Sequence, residues 1–401
     1  MEYRPVPDSR LQAFENIAQY AFSPEDQPAE SDRVADPSKQ FGEPRALFEG
    51  DELTAICRLL EFEARCRGEW ISLGGLRAVA TPPEYRRGGR AATLLRQSLG
   101  EFAERDIPLV VLWPFDHDFY ASTGWASAGK HATYRFPPAA LESVAANETG
   151  RLFRPSPDDC ERLRRVNQAD GEETSLTLRR TENWWRHRVF EQSGTRRHVY
   201  AWERDGTVEG YVAYTVAGAE NDRTLTVHDV AAVDDRAFRH VCWLLFTHDS
   251  QVETVELPGD PSHAPGELLD RVAAPESVTC ELDHGAMVRV AAVPTALEAI
   301  PYPDDVATEF VLDVEDGLVD WNDGTFHVAI EDGRGRCHRV EGVNESADVS
   351  VSIGTLSQLL VGYGTVERAQ RAGDLVIHDD ELEGTLDRAF PPRPVELSEF
   401  F

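Results

Sequence analysis

LRAVATPPEYRRGGRAATLL, residues 76–95, is the stretch from which the rest of the chain is read. Its opening belongs to EWISLGGLRAVAT (69–81), an apolar run that predicts a strand, with Gly74-Gly75 as the place for a kink. After the turn PPEYRRGG, apolar positions recur at helical spacing from about Arg90 to Glu104. A strand, a basic glycine turn and a helix set several backbone N–H groups at a helix N-terminus. Glycines there let phosphate oxygens approach, and Arg86 and Arg87 complement their charge. The buried strand PLVVLW (108–113) follows, and then WPFDHDFYASTGWASAG (113–129). That segment carries Tyr120 within Phe119-Tyr120-x-x-x-Gly124-Trp125, which by itself reads as a packing aromatic at a helix end. A free phenol titrates near ~10, so it still carries its proton at neutral pH.

Upstream, Leu11, Phe14, Ile17 and Ala18 predict a helix with Ser9 as its N-cap. Residues 24–44 are polar and Pro-rich and read as a loop, and ALFEGDELTAICRLLEF (46–62) reads as strand, Gly50-Asp51 turn, strand. A turn, a helix and a last strand complete this unit by about residue 150. The succession β–α–β–β–β–α–β–α–β differs from the regular alternation of a dinucleotide-binding domain.

A second unit repeats the outline. YAWERDGTVEGYVAYTV (200–216) echoes 46–62, and LTVHDVAAVDDRAFRHVCWLLF (225–246) echoes 73–95. At the strand-to-helix turn this copy has Asp234-Asp235-Arg236-Ala237, with no glycine and two carboxylates, which excludes a phosphate cradle there. From about Ala291 the pattern changes. Residues 306–340 alternate apolar and polar through strands, and helical stretches at 355–361, 365–371 and 379–388 would cover one face of their sheet.

The 401 residues suit two or three domains with ordinary cores. Asp and Glu number 71 against 40 Lys and Arg, for a net charge of −31. Lys39 and Lys130 are the only lysines. A carboxylate coat almost without lysine points to a protein of concentrated salt, and it disfavours binding to nucleic-acid backbones. No apolar run nears the ~18 residues that span a bilayer, and MEYRPVPDSR lacks a secretory pattern, so a cytoplasmic chain without membrane partners is expected. Six scattered cysteines and no HExxH or GxSxG motif point away from disulfide, zinc and hydrolase-triad chemistry. No cysteine is close in sequence to either motif, which disfavours a covalent cysteine route.

Arg86-x-x-Gly89-x-Ala91 has the R/Q-x-x-G-x-G/A form of the GNAT N-acetyltransferase superfamily, and the whole chain resembles the Eis (enhanced intracellular survival) family, above all its haloarchaeal members. The resemblance implies an α+β fold of two tandem GNAT-like domains, the second degenerate, followed by a sterol-carrier-protein-like domain. The implied boundaries are a catalytic domain at 1–150, a degenerate one at 151–290, and a last domain at 291–401 that supplies the C-terminal carboxylate. The family's acetyl-CoA contacts carry over onto Val79, Ala80 and Thr81, onto Arg87, Gly88, Gly89, Arg90, Ala91 and Ala92, and onto Phe115 and Asp116. Gly88 departs from the family, which often has a third arginine there. Tyr120 matches the general acid, and the α-carboxylate of Phe401 the general base. A free α-carboxyl titrates at ~3.3–3.7 and an alkyl amine near ~10, so that base needs burial or a relaying water. The resemblance further implies acetyl transfer to a primary amine (polyamine, aminoglycoside-like or lysine side chain), no metal, and a homo-oligomer, a hexamer. The competing expectation is a lipid or hydrophobic-ligand carrier acting through the last domain.

Overall fold

The computed structural model describes residues 1–24, 41–146, 150–192, 194–220, 222–259, 267–340 and 346–401, so most of the predicted 24–44 loop lies outside the described residues. The chain divides into two compact units. One holds Met1–Ala128, Ala286–Arg393 and Glu399–Phe401, and the other Gly129–Gly285 with Pro394–Ser398.

The first unit is built on a seven-stranded sheet in the order Glu2–Pro5, Glu43–Glu49, Glu52–Cys66, Glu69–Ala80, Leu109–Leu112, Met287–Val290, Ala126–Ser127. Its first helix, Leu11–Phe22, is preceded by a 3-10 turn, Asp8–Arg10, so Ser9 lies inside that turn and Arg10 takes the N-cap position without a side-chain bond. The strand Glu69–Ala80 runs through Gly74 and Gly75 in unbroken register with Glu61 and Leu60, so the expected kink is absent there. These glycines answer to packing instead. A Cβ on Gly74 would stand 2.9 Å from the Phe102 ring of the helix Arg90–Glu104, and one on Gly75 would stand 2.6 Å from Phe62 and 3.3 Å from Phe401. The irregularity comes later, as a bulge opposite Cys57 where Ala78 takes φ 53°.

The strand after the aromatic segment, Lys130–Phe136, pairs in the sheet of the second unit, although the sequence pattern assigns it to the first. Its place beside Leu109–Leu112 is filled by Met287–Val290, antiparallel, with Arg289 opposite Val110. The two sheets have therefore exchanged strands. Periodicity cannot reveal this, because a strand's own pattern does not say which sheet it joins.

The second unit's sheet has the order Thr279–His284, Lys130–Phe136, Thr254–Gly259, Asp222–Ala232, Thr207–Ala219, His198–Arg204, Arg151–Phe153. Its buried polar anchor is Asp229, which accepts from Arg180 Nη1 at 2.6 Å, Arg180 Nη2 at 3.1 Å and the Tyr211 hydroxyl at 3.1 Å. Trp185 lies under this group, 5.1 Å from the Arg180 guanidinium and 5.5 Å from the Tyr211 ring.

Back in the first unit, a five-stranded sheet (Arg334–Arg339, Gly324–Glu331, Thr308–Glu315, Val349–Ser352, Leu375–Ile377) is covered by the helices Ile353–Val361, Val366–Ala372 and Glu383–Ala389. Between sheet and helices, Phe310, Leu312, Val351, Leu359, Leu386 and Phe390 help to enclose an apolar cavity with about 20 Å³ of room for the centre of a water molecule. That is space for about one water. Arg67, at the tip of the hairpin between Glu52–Cys66 and Glu69–Ala80, donates from Nε to the Leu360 carbonyl at 2.8 Å and from Nη2 to that of Leu359 at 2.5 Å. A cation at the carbonyl end of a helix also meets the favourable end of its dipole. Among the described residues no helix is long and apolar enough to cross a membrane.

Removing one partner of a buried pair strands the other charge, so Asp229→Ala is expected to cost about 3–5 kcal/mol of unfolding free energy in urea titrations. Replacing both charges, as Arg180→Met with Asp229→Leu, is expected to recover most of that loss.

Candidate active site

The site begins where two parallel strands separate. Glu69–Ala80 pairs with Leu109–Leu112 at Leu73, Gly74 and Gly75 only, and the ladder ends at Gly75–Val111. Beyond it the backbone of residues 76–80 pairs with no strand on that side among the described residues, and the Ala78 bulge re-aims it. Val79 and Ala80 are buried at this end of the strand, and Thr81 is half-buried just past it.

The turn that follows alternates backbone handedness. Arg87 has φ 59° and Gly89 φ 72°, both left-handed, with Gly88 between them. Such alternation draws successive N–H groups into a concavity. Gly89 is the N-cap of the helix Arg90–Glu104 and supplies no side-chain bond, so the first-turn N–H groups of Arg90, Ala91 and Ala92 receive no cap from it. The equivalent helix of the second unit, Asp235–Phe246, is capped by its own carboxylate, Asp234 Oδ1 accepting from Ala237 N at 2.7 Å. The first cradle is open to an external anion, while the second holds an internal one.

The arginines of the turn separate into two kinds. Arg86 Nε donates to the Thr81 carbonyl at 2.9 Å, closing the turn. Arg90 pairs with Glu49 at 2.7 Å and lies over the Tyr85 ring at 4.9 Å, fixing the start of the helix. Arg87 is exposed, and no hydrogen bond or ion pair holds it among the described residues. It is the cation left for a ligand.

Tyr120 sits on the short helix His117–Ala121, whose N-cap Asp116 accepts from Phe119 N at 3.0 Å. Its side chain is buried, in edge contact with Phe119 at 5.1 Å, Phe115 at 5.4 Å and Trp125 at 6.1 Å. Phe115 itself is 62% exposed, so the aromatic group has one wall facing outward. Burial pushes the Tyr120 phenol well above its ordinary range, and the nearby Cys57 and Asp116 add to the rise. Tyr120 and Cys57 share one apolar cluster with Leu76 and Val79. The fold thus brings in a cysteine that sequence distance had set aside. Its Sγ lies 3.4 Å from Ser98 Oγ, and burial pushes the thiol up to about 12, so it is a protonated core group and no nucleophile.

The chain terminus packs against the same strand. Phe401 is 8% exposed, with its ring 5.2 Å from Phe62. Side chains alternate along a strand, so Gly74 facing Phe102 and Gly75 facing Phe401 put the last residue on the sheet face away from the helix Arg90–Glu104. Trp113 Nε1 donates to the Glu399 carbonyl at 2.9 Å, and its ring lies 5.3 Å from Phe400. Sequence reasoning missed Trp113 as a clasp on the terminus, since nothing in a lone Trp after a strand signals such a partner. Among the described residues no group of three or more His, Cys, Asp and Glu is placed to hold a metal ion.

Residues 2–128 and 176–290 each match an acetyltransferase (GNAT) domain, and residues 293–398 match a sterol carrier protein domain. Among solved structures, the chain is similar to a GCN5-related N-acetyltransferase from Anabaena variabilis, with 21% identity, all of both chains covered and a TM-score of 0.86. It is similar to Eis1 from Mycobacterium abscessus, at 20% identity, all of both chains and a TM-score of 0.77. A GCN5-related N-acetyltransferase from Kribbella flavida gives 20% identity over all of this chain and 98% of that one, with a TM-score of 0.78. At these identities the likeness is one of fold. The sequence finds no match among curated proteins. The matched domains and the fold define an acyltransferase of the GNAT type, α+β, with two GNAT domains followed by a sterol carrier domain. In that architecture the chain is Eis-like.

With its thiol held protonated, Cys57 should resist iodoacetamide at pH 8 in the native protein and react only in denaturant. The half-buried Cys160 and Cys280 should take label first, as peptide mass mapping would show.

Proposed function

We propose that the protein transfers the acetyl group of acetyl-CoA directly to a primary amine of a polycationic acceptor, with Tyr120 as general acid and the α-carboxylate of Phe401 as general base. The observation that carries this reading is the contrast between the two helix starts: Gly89 leaves the first one uncapped beside the unclaimed cation Arg87, while Asp234 fills the second. Acetyl-CoA, when bound, supplies an activated thioester and a pyrophosphate. The residues present fit that pyrophosphate, since the left-handed Arg87 and Gly89 turn the N–H groups of the helix start the same way, and a Cβ on Gly89 would meet nothing within 4 Å. Val79, Ala80 and Thr81 offer strand-edge backbone to the pantetheine arm, and the N–H groups at the bulge polarise the thioester carbonyl. Phe115 would meet the cofactor as an exposed ring, and Asp116 caps the helix that carries Tyr120.

Tyr120 donates toward the departing sulfur. In water a proton passing from a phenol near ~10 to a thiolate near ~8.5 moves uphill by about 2 kcal/mol. The apolar walls that raise Tyr120 penalise a bare thiolate as well, which narrows this gap. The terminal carboxylate, held by the ring of Phe401 and the clasp on Glu399, takes up the amine proton directly or through water. The division of labour follows the 1–150, 151–290 and 291–401 reading: a catalytic domain, one without a cradle, and one bringing the terminal carboxylate. The carrier reading would need room for an acyl chain beside Phe310 and Leu359, where the cavity has space for about one water.

Thiol release from acetyl-CoA with neomycin or spermine as acceptor tests the proposal. Tyr120→Phe should lower kcat about 10²–10⁴-fold with little change in acetyl-CoA binding. A tag fused after Phe401 should also impair turnover, and equal rates for tagged and untagged protein would remove the terminal base. Because burial raises the pKa of the acid, its loss of the proton should not depress kcat below pH 10, and a fall near pH 8 would contradict the assignment. Arg87→Ala should weaken acetyl-CoA binding in calorimetry more than Arg86→Ala does.

A further inference from the structure

We propose that Arg289 is the positioning residue for Tyr120, locking the turn behind its helix to the sterol carrier domain through Asp316. The inference rests on the acid role just proposed. Arg289 lies on Met287–Val290, the strand that replaces Lys130–Phe136 in the first unit's sheet, far in sequence from both motifs. It is fully buried, as is the Asp316 side chain.

Its contacts form one chain of restraint. Arg289 Nη1 donates to the Thr123 carbonyl at 2.6 Å, and Nη2 donates to both Asp316 oxygens at 2.7 Å. Thr123 in turn holds the backbone of the acid, its N–H donating to the Tyr120 carbonyl at 3.0 Å and its hydroxyl to the same oxygen at 2.9 Å. Trp125 N adds a third donor to that carbonyl at 3.2 Å. Asp316 is fixed from its own side by the N–H groups of Leu318 at 2.9 Å and Val319 at 3.2 Å. Gly124 shows how closely the guanidinium is fitted, for a Cβ there would stand 1.7 Å from Arg289 Nη1 and 2.7 Å from Ile353 Cγ2. The glycine of the aromatic motif, with φ 82°, makes room for this arginine.

Asp316 satisfies the buried charge by itself, so electroneutrality does not require the bond to Thr123. Arg289 Nε, by contrast, is buried with no acceptor among the described residues. An arginine placed only to fill the core would be poorly chosen, because a buried donor without a partner is costly. Its two occupied ends tie the turn after Tyr120 to the loop after Glu315. A displacement of about 1 Å at a reacting group can cost on the order of 10²-fold in rate, which makes such a tie consequential.

The test uses the full chain with acetyl-CoA and neomycin. Arg289→Met combined with Asp316→Asn removes both charges together, and the Asn oxygen keeps the Leu318 and Val319 N–H groups satisfied. The expected result is a fall in kcat of about 10–10²-fold with the KM for acetyl-CoA within about twofold, because the cradle is untouched. Combined with Tyr120→Phe, the pair should add little further loss, since both changes disable one group. Arg289→Lys, able to reach Thr123 or Asp316 but not both, should recover part of kcat. Losses that multiply independently of Tyr120→Phe would overturn the positioning role while leaving the acid intact. Wild-type turnover in Tyr120→Phe would overturn the acid, and the positioning role with it. Crystal structures supply a readout apart from turnover: the paired variant should show the Tyr120 hydroxyl displaced or in several conformers, and an unmoved Tyr120 would sink the proposal.

Discussion

Two strands that run side by side for three residues and then part create the opening on which everything else in the first unit depends. Past Gly75 and Val111, backbone polar groups that would have completed a ladder pair with no strand on that side among the described residues. Buried or half-buried, such groups demand partners, and a ligand that presents itself as a strand can provide them. The bulge at Ala78, the left-handed turn at Arg87 and Gly89, and the uncapped helix all lie within fifteen residues of that parting. The second unit repeats the frame, with parallel pairing that ends at Thr226–Glu256, yet its helix start carries a carboxylate of its own. Similar backbones therefore bear opposite electrostatics at the same point, and a single capping side chain makes the difference.

The terminus is the other unusual element. Chain ends generally fray for want of contacts. Here the last three residues are held by a ring contact between Phe62 and Phe401, an indole hydrogen bond from Trp113 to the Glu399 carbonyl and a tilted ring contact between Trp113 and Phe400. Each of these is modest alone, and together they convert a mobile group into a fixed one. The base role proposed for it asks for that, because a base that wanders loses more in orientation than it gains in basicity.

Much of this was legible in the sequence. The helix from Arg90 to Glu104 begins and ends where its periodicity says, and the glycine turn, the aromatic segment and the three-part order all read directly. Local pattern carries such features because they depend on neighbours within a few positions. What escaped was long-range. Gly74 and Gly75 looked like a kink and are sites of ring packing. Ser9 looked like a cap and lies in a 3-10 turn. Cys57 looked remote and shares an apolar cluster with Tyr120, while Arg289 carried no local signal at all. In every case the deciding partner is tens or hundreds of residues away, where a residue's own surroundings say nothing.

The strand exchange has a consequence for how the polypeptide is born. Leu109–Leu112 acquires its second neighbour only when Met287–Val290 has left the ribosome, more than 170 positions later. Until then the nascent front half has a raw sheet margin, and Lys130–Phe136, with its apolar Ala132, Tyr134 and Phe136, waits for a sheet not yet synthesised. Neither half can mature first. A gene cut between them would encode two incomplete halves, each lacking a strand that the other carries.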